Sequence, residues 1–106
     1  MGLFDFLFKN KQKMVDDFIS RGAVIIDVRT PAEFANGAIR DSKNIPLQVI
    51  TSKLNQIKKM NKPVITCCAS GMRSGSAASF LKQNGIEAMN GGGWYSLQGR
   101  LSKIAS

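Results

Sequence analysis

Histidine is absent from all 106 residues of this chain. Without an imidazole there is no Ser-His-Asp or Cys-His nucleophile pair, no His-ligated zinc, no proximal ligand for haem and no histidine general base. Cysteine is scarce as well: the chain has two, Cys67 and Cys68, adjacent in sequence. Neighbouring cysteines neither close a stabilising loop nor supply a four-ligand cage, which excludes a disulfide scaffold and a structural zinc site. No apolar run approaches the roughly twenty residues that a membrane-spanning helix needs. The opening Met1-Gly2-Leu3-Phe4-Asp5-Phe6-Leu7-Phe8 is short, is interrupted by Asp5 and precedes its positive charges, so it does not read as a signal peptide, and Phe6 breaks the myristoylation pattern. With two free thiols the expected setting is the cytoplasm. What remains is chemistry that a thiolate, an arginine and backbone amides perform with no metal and no cofactor.

A hydrophobic fraction of 43%, a charged fraction of 21% and a mean hydropathy of -0.08 describe one ordinary globular domain, so disordered and collagen-like architectures drop out. Acidic residues are few. Seven Asp and Glu stand against fifteen Lys and Arg, giving a net charge of +8 that favours anionic partners. The lysines are scattered, and no basic stripe interleaved with aromatics is present; nucleic acid is not favoured.

Leu3, Phe4, Leu7 and Phe8 would share one helix face, which is expected to fold onto its own domain. Residues 1–13 therefore read as an amphipathic extension, with Lys9 to Lys13 a polar connector, and residues 14–106 as the domain. Met14, Val15, Phe18 and Ile19 predict a short helix stopped by Gly22. Ala23 to Val28 is a short β-branched apolar run, hence a buried strand. Thr30, Pro31 and Glu33 supply a cap, a first-turn proline and a carboxylate for a helix closed by Gly37. After a loop through Asn44-Ile45-Pro46, the spacing of Leu47, Ile50, Leu54 and Ile57 predicts a longer helix. Pro63 to Cys68 is a second buried strand, followed by a small-residue helix through Ala77, Ala78 and Leu81 to Gly85. Ile86 to Met89 predicts a third strand, Asn90 to Gly93 a turn, and Trp94, Leu97, Leu101 and Ile104 a last helix. This alternation predicts a parallel α/β sheet covered on both sides, with ligands beyond the strand C-termini.

Two strand ends, Asp27 to Arg29 and Cys68 to Arg73, meet there. Between Cys68 and Ser74 the small residues let the backbone curl so that N–H groups point inward, and the following helix adds its dipole. A cysteine at the bottom of such a cradle is held as thiolate without histidine.

These residues resemble the single-domain rhodanese family of sulfurtransferases over residues 14 to about 101. The resemblance rests on Ile26-Asp27-Val28-Arg29-Thr30-Pro31-Ala32-Glu33-Phe34 with Gly37 and Asn44-Ile45-Pro46-Leu47, on the loop Cys68 to Ser74, and on Gly92-Gly93-Trp94. It implies a three-layer α/β fold with a mostly parallel five-stranded sheet and helices on both faces. The implied activity is transfer of a sulfane sulfur from a small anionic donor such as thiosulfate to cyanide or a thiol, which a thioredoxin-like or sulfur-carrier protein could present. It maps the nucleophile onto Cys68, the binding amides onto Ala69, Ser70, Gly71, Met72, Arg73 and Ser74, and the loop arginine onto Arg73, expected to face outward and orient the donor. Asp27 and Arg29 are expected to brace the loop. Cys67, one residue earlier on a strand, is expected to face away and stay inert. The chain departs from the family at Ala38, where a histidine is usual, and at Asp41, where glycine is frequent. Two alternatives stand beside this reading: a phosphatase using Cys67 in a Cys-x5-Arg loop, and a catalytically silent binding module.

Overall fold

The computed structural model describes residues 2–105, and of residues 3–8 and 105 the backbone alone. In chain order the elements are α1 (Leu3–Ser20), β1 (Val24–Asp27), α2 (Pro31–Ala35), β2 (Lys43–Asn44), two 3-10 turns (Leu47–Val49 and Thr51–Lys53), α3 (Leu54–Met60), β3 (Val64–Cys68), α4 (Met72–Gln83), β4 (Ala88–Gly93) and α5 (Trp94–Ala105). The strands form a four-stranded sheet in the order β2-β1-β3-β4, every pairing parallel. Each parallel step needs a crossover, and the intervening helices provide it. Side chains alternate across β3: Val64 and Cys68 join one core with Ile26, Ile57, Ala77 and Leu81, whereas Ile65 and Cys67 join another with Val15, Phe18 and Leu97. Helices thus cover both faces, and the two cysteines are divided between them. Among the described residues no helix is long and apolar enough to cross a membrane.

Several expectations are corrected by the fold. The sheet has four strands where five were expected. Lys9 to Lys13 is no connector but the middle of α1, because its residues form helix readily and no breaker precedes Gly22. The packing of the apolar side chains at positions 3–8 lies outside the described residues. The helix predicted from Leu47 is two 3-10 turns before α3, since Val49, Ile50 and Thr51 are consecutive β-branched residues that stiffen the chain against an α-helix. Its apolar face survives: Ile50 and Ile57 are buried, with Leu47 and Leu54 packed against the same core. Thr30 and Glu33 do form a capping box. Asp41 has φ +68°, a left-handed conformation open to glycine and tolerated by Asp.

The predicted turn Asn90 to Gly93 is instead the end of β4. Its glycines answer a demand for space. A Cβ on Gly91 would lie 2.7 Å from both Ile65 Cγ2 and the Thr66 carbonyl oxygen, and 2.9 Å from Leu97 Cδ2; one on Gly93 would lie 2.9 Å from the Ala69 carbonyl oxygen. Gly91→Ala is accordingly expected to cost about 1–3 kcal/mol, the usual penalty of overpacking, as a lower midpoint in urea unfolding. An unchanged midpoint would show that β4 can move away from β3 freely.

Candidate active site

Cys68 ends β3, where the chain leaves the sheet and turns through Ala69, Ser70 and Gly71 into α4. The turn is tight: Gly71 has φ +103°, and a Cβ there would touch the Gly92 backbone at 3.4 Å. With that geometry the Gly71 N–H donates to Cys68 Sγ at 2.9 Å, and Ser74 Oγ, on the first turn of α4, lies 3.3 Å from the same sulfur. Cys68 is only 1% exposed. Burial alone pushes its thiol up, but the Ser74 hydroxyl, followed by the amides of Ser74, Gly71 and Ser70, outweighs that effect and holds the pKa below the usual thiol value. The thiolate form of this sulfur is thus favoured over that of an ordinary buried thiol, and it faces the amide end of a twelve-residue helix.

The predicted binding residues fall into different positions. Ser70, Gly71 and Ser74 act on the sulfur; Ala69 and Ser70 are exposed, and Met72 is 81% exposed at the rim. Arg73 is not an open guanidinium. Its Nη1 and Nη2 donate to the two carboxylate oxygens of Glu33 at 2.8 and 3.0 Å, a bidentate pair that joins α4 to α2. The Glu33 carboxylate, which also accepts from the Thr30 N–H, is drawn down to about 2 by Arg73 first and Thr30 second. It stays ionised wherever the protein is folded near neutrality. A small cleft of about 80 Å³ lies beside Arg73, walled by Val28, Thr30, Leu47 and Gln48. A larger cavity, about 670 Å³, opens by Pro63 and Ile86 at the other ends of β3 and β4, remote from this chemistry.

Asp27 and Arg29 form a buried pair, with Arg29 Nη2 donating to Asp27 Oδ2 at 2.7 Å. Arg29 Nη2 also donates to the Gly37 carbonyl at 2.7 Å, and the guanidinium lies 4.8 Å from the centre of the Trp94 ring. This pair braces the segment carrying α2, and so Glu33, whose carboxylate meets Arg73 on α4. Cys67 is fully buried on the opposite face, where burial and then the Asp27 carboxylate push its thiol up to about 12. Strand alternation places it there, away from the Cys68 loop.

Sequence reasoning did not find two of the residues that shape the loop. Asn90, read as part of a turn, sits on β4 beside the loop: its Oδ1 accepts from Ser74 Oγ at 2.7 Å and from the Gly92 N–H at 2.9 Å, and its Nδ2 donates to the Gly71 carbonyl at 3.0 Å. Thr66 Oγ1 donates to the Ser74 carbonyl at 2.8 Å from below. The available signal was position, since a polar residue on the strand beside a nucleophile-bearing strand end is within reach of its loop.

The chain is similar to known proteins along most of its length. A family model described as a rhodanese-like domain matches residues 11–99. The uncharacterized protein YqhL of Bacillus subtilis is 40% identical over 83 residues, covering 78% of this chain and 61% of its own. A protein named sulfurtransferase from Allochromatium vinosum is 35% identical over 74 residues, covering 70% of this chain and 65% of its own. The chain thus spans somewhat less than two thirds of these relatives. A rhodanese-like domain protein from Staphylococcus aureus superposes with a TM-score of 0.68 at 34% identity, covering 82% of this chain and 86% of that one.

Removing the Ser74 hydroxyl takes away the group beside Cys68 Sγ that can turn its one hydrogen from Asn90 to a thiolate. Ser74→Ala is therefore expected to raise the Cys68 pKa, seen as a shift to higher pH in both thiolate ultraviolet absorbance and the rate of alkylation by iodoacetamide. An unmoved curve would mean that the amides alone set the charge.

Proposed function

From membership of the rhodanese-like domain family, to which this chain belongs, we propose that the protein is a sulfurtransferase that carries a sulfane sulfur on Cys68. The observation that carries this reading is the buried Cys68 sulfur, held by the Gly71 amide and the Ser74 hydroxyl at the start of α4. The Cys68 thiolate attacks the outer sulfur of a donor such as thiosulfate. A bond forms between Sγ and that sulfur, the donor's sulfur–sulfur bond breaks, and its electron pair leaves with sulfite. The product is a Cys68 persulfide with the charge on its terminal sulfur. An acceptor then attacks that sulfur: cyanide leaves as thiocyanate, a thiolate as a persulfide, and the Cys68 thiolate is restored.

The same amides serve both half-reactions, because each begins and ends with one negative charge on sulfur in the cradle. No general acid is needed. Sulfite and the Cys68 thiolate are both stable anions as leaving groups, which fits a site without histidine. The acceptor is a small thiol, cyanide, or a thiol presented by a thioredoxin-like or sulfur-carrier protein, and a cytoplasmic setting suits two free thiols. The phosphatase register would need Cys67 as nucleophile, and that thiol is fully buried on the far face with its pKa raised to about 12.

Incubation with thiosulfate followed by intact mass measurement tests the reading. The wild type and Cys67→Ser are expected to gain one sulfur atom, released on adding cyanide, while Cys68→Ser gains none because a serine hydroxyl is neither ionised nor thiophilic. Loss of loading in Cys67→Ser alone, or hydrolysis of an aryl phosphate without any loading, would overturn it.

A further inference from the structure

We propose that the Lys11 ammonium, held by α1 at the edge of the Cys68 loop, reads the negative charge of the sulfur donor. As a statement about donors this rests on the sulfurtransferase reading; as a statement about charge at Cys68 it stands alone. Of the cations that the fold brings toward the loop, Arg29 is bound to Asp27 and stacked on Trp94, and Arg73 is bound through both nitrogens to Glu33. A guanidinium saturated by a carboxylate presents little net charge to an incoming anion. Lys11 differs: among the described residues no carboxylate pairs with it.

Its position follows from two close approaches. The Gly71 amide that holds the sulfur belongs to a residue packed on the Gly92 backbone, at 3.4 Å from the Cβ that Gly71 lacks. On Gly92, in turn, the missing Cβ would lie 3.3 Å from Lys11 Nζ. Successive contacts thus link the sulfur to Gly71, Gly71 to Gly92 and Gly92 to Lys11. Glycine at 92, with φ +85°, leaves the backbone open to the ammonium. The helix turn that carries Lys11 is anchored: Val15, four residues on along the same face, is fully buried, and Gln12 Nε2 donates to the Arg100 carbonyl at 3.1 Å. Burial and then the charge of Arg100 both lower the Lys11 pKa. An ammonium so placed gains from an anion brought beside it, and a donor approaching the loop brings one.

A doubly charged donor gains more from that field than a singly charged one. Lys11 therefore sets preference among donors while Cys68, Ser74 and the loop amides do the bond making. The role is one of selection, exerted from a helix that contributes nothing to the loop's own hydrogen bonds to sulfur.

The test compares the intact wild type with Lys11→Gln, Lys11→Arg and Lys13→Gln, the last removing the same charge from an exposed position on the same helix. The first readout needs no sulfur transfer: the rate of Cys68 alkylation by anionic iodoacetate divided by that for neutral iodoacetamide. Lys11→Gln is expected to lower this ratio several-fold, Lys11→Arg to restore it, and Lys13→Gln to leave it near the wild-type value. The second readout is steady-state transfer to cyanide, where Lys11→Gln is expected to raise KM for thiosulfate about tenfold with little change in kcat, and KM for a monoanionic alkyl persulfide by less. Equal loss with both alkylating reagents, or a Lys11→Gln indistinguishable from Lys13→Gln, would overturn the proposal. A lowered alkylation ratio in a protein that transfers no sulfur would uphold Lys11 as the charge reader and sink the sulfurtransferase reading instead.

Discussion

The Cys68 sulfur, buried at the end of β3 with its pKa held below the usual thiol value, is the group around which this small domain is arranged. A thiolate taken out of water is costly unless donors replace the solvent, and here the Gly71 amide and the amides of Ser70 and Ser74 are placed to do so, with the Ser74 hydroxyl 3.3 Å away and able to turn toward the sulfur. Those donors converge only if the chain leaves β3 in one tight path. The neighbouring strand enforces that path. Asn90 ties the Gly71 carbonyl and the Ser74 hydroxyl to β4, Thr66 ties the Ser74 carbonyl to β3, and the bare backbone of Gly91 and Gly93 lets β4 come close enough to do it. A side chain at either glycine would push the brace away from the loop.

Alternation along β3 then gives the two cysteines different surroundings. Strand alternation sends Cys67 into the core beneath α1 and α5 and Cys68 toward α4, so vicinal thiols that look equivalent in sequence have opposite electrostatics. Cys68 meets hydrogen-bond donors, whereas Cys67 meets burial and the Asp27 carboxylate. Around this centre the arginines are used for assembly. Arg29 fastens the α2 segment to β1 and Trp94, and Arg73 fastens α4 to Glu33 on α2. Charge that remains for a ligand must come from elsewhere, which gives the N-terminal helix a place in the site.

Features determined locally were legible in the sequence. The β-branched runs at 24–27 and 64–68, the capping box of Thr30 and Glu33, and the strand-to-helix loop after Cys68 each depend on residues within a few positions. The misread features depend on distant partners. Gly91 looks like a turn residue until Ile65 and Leu97 are seen against it, and Asn90 looks like the same turn until Ser74 is found beside it. Arg73 looks open until Glu33 arrives from forty residues away. The two-residue β2 has no pattern of its own; it is held by Asn44 donating to the Asp27 and Arg29 carbonyls. α1 runs through a polar stretch because helix propensity, not hydrophobicity, carries the chain from one apolar turn to the next.

The amides of Ser70, Gly71 and Ser74 converge on one sulfur and should sense its ionisation together. Following the backbone amide resonances of Ser70, Gly71 and Ser74 by nuclear magnetic resonance across a pH titration measures this directly. All three are expected to move together, with a single midpoint below the usual thiol value, and Cys68→Ser is expected to abolish the movement. Amides that do not move, or that move only near the Cys67 value of about 12, would contradict it.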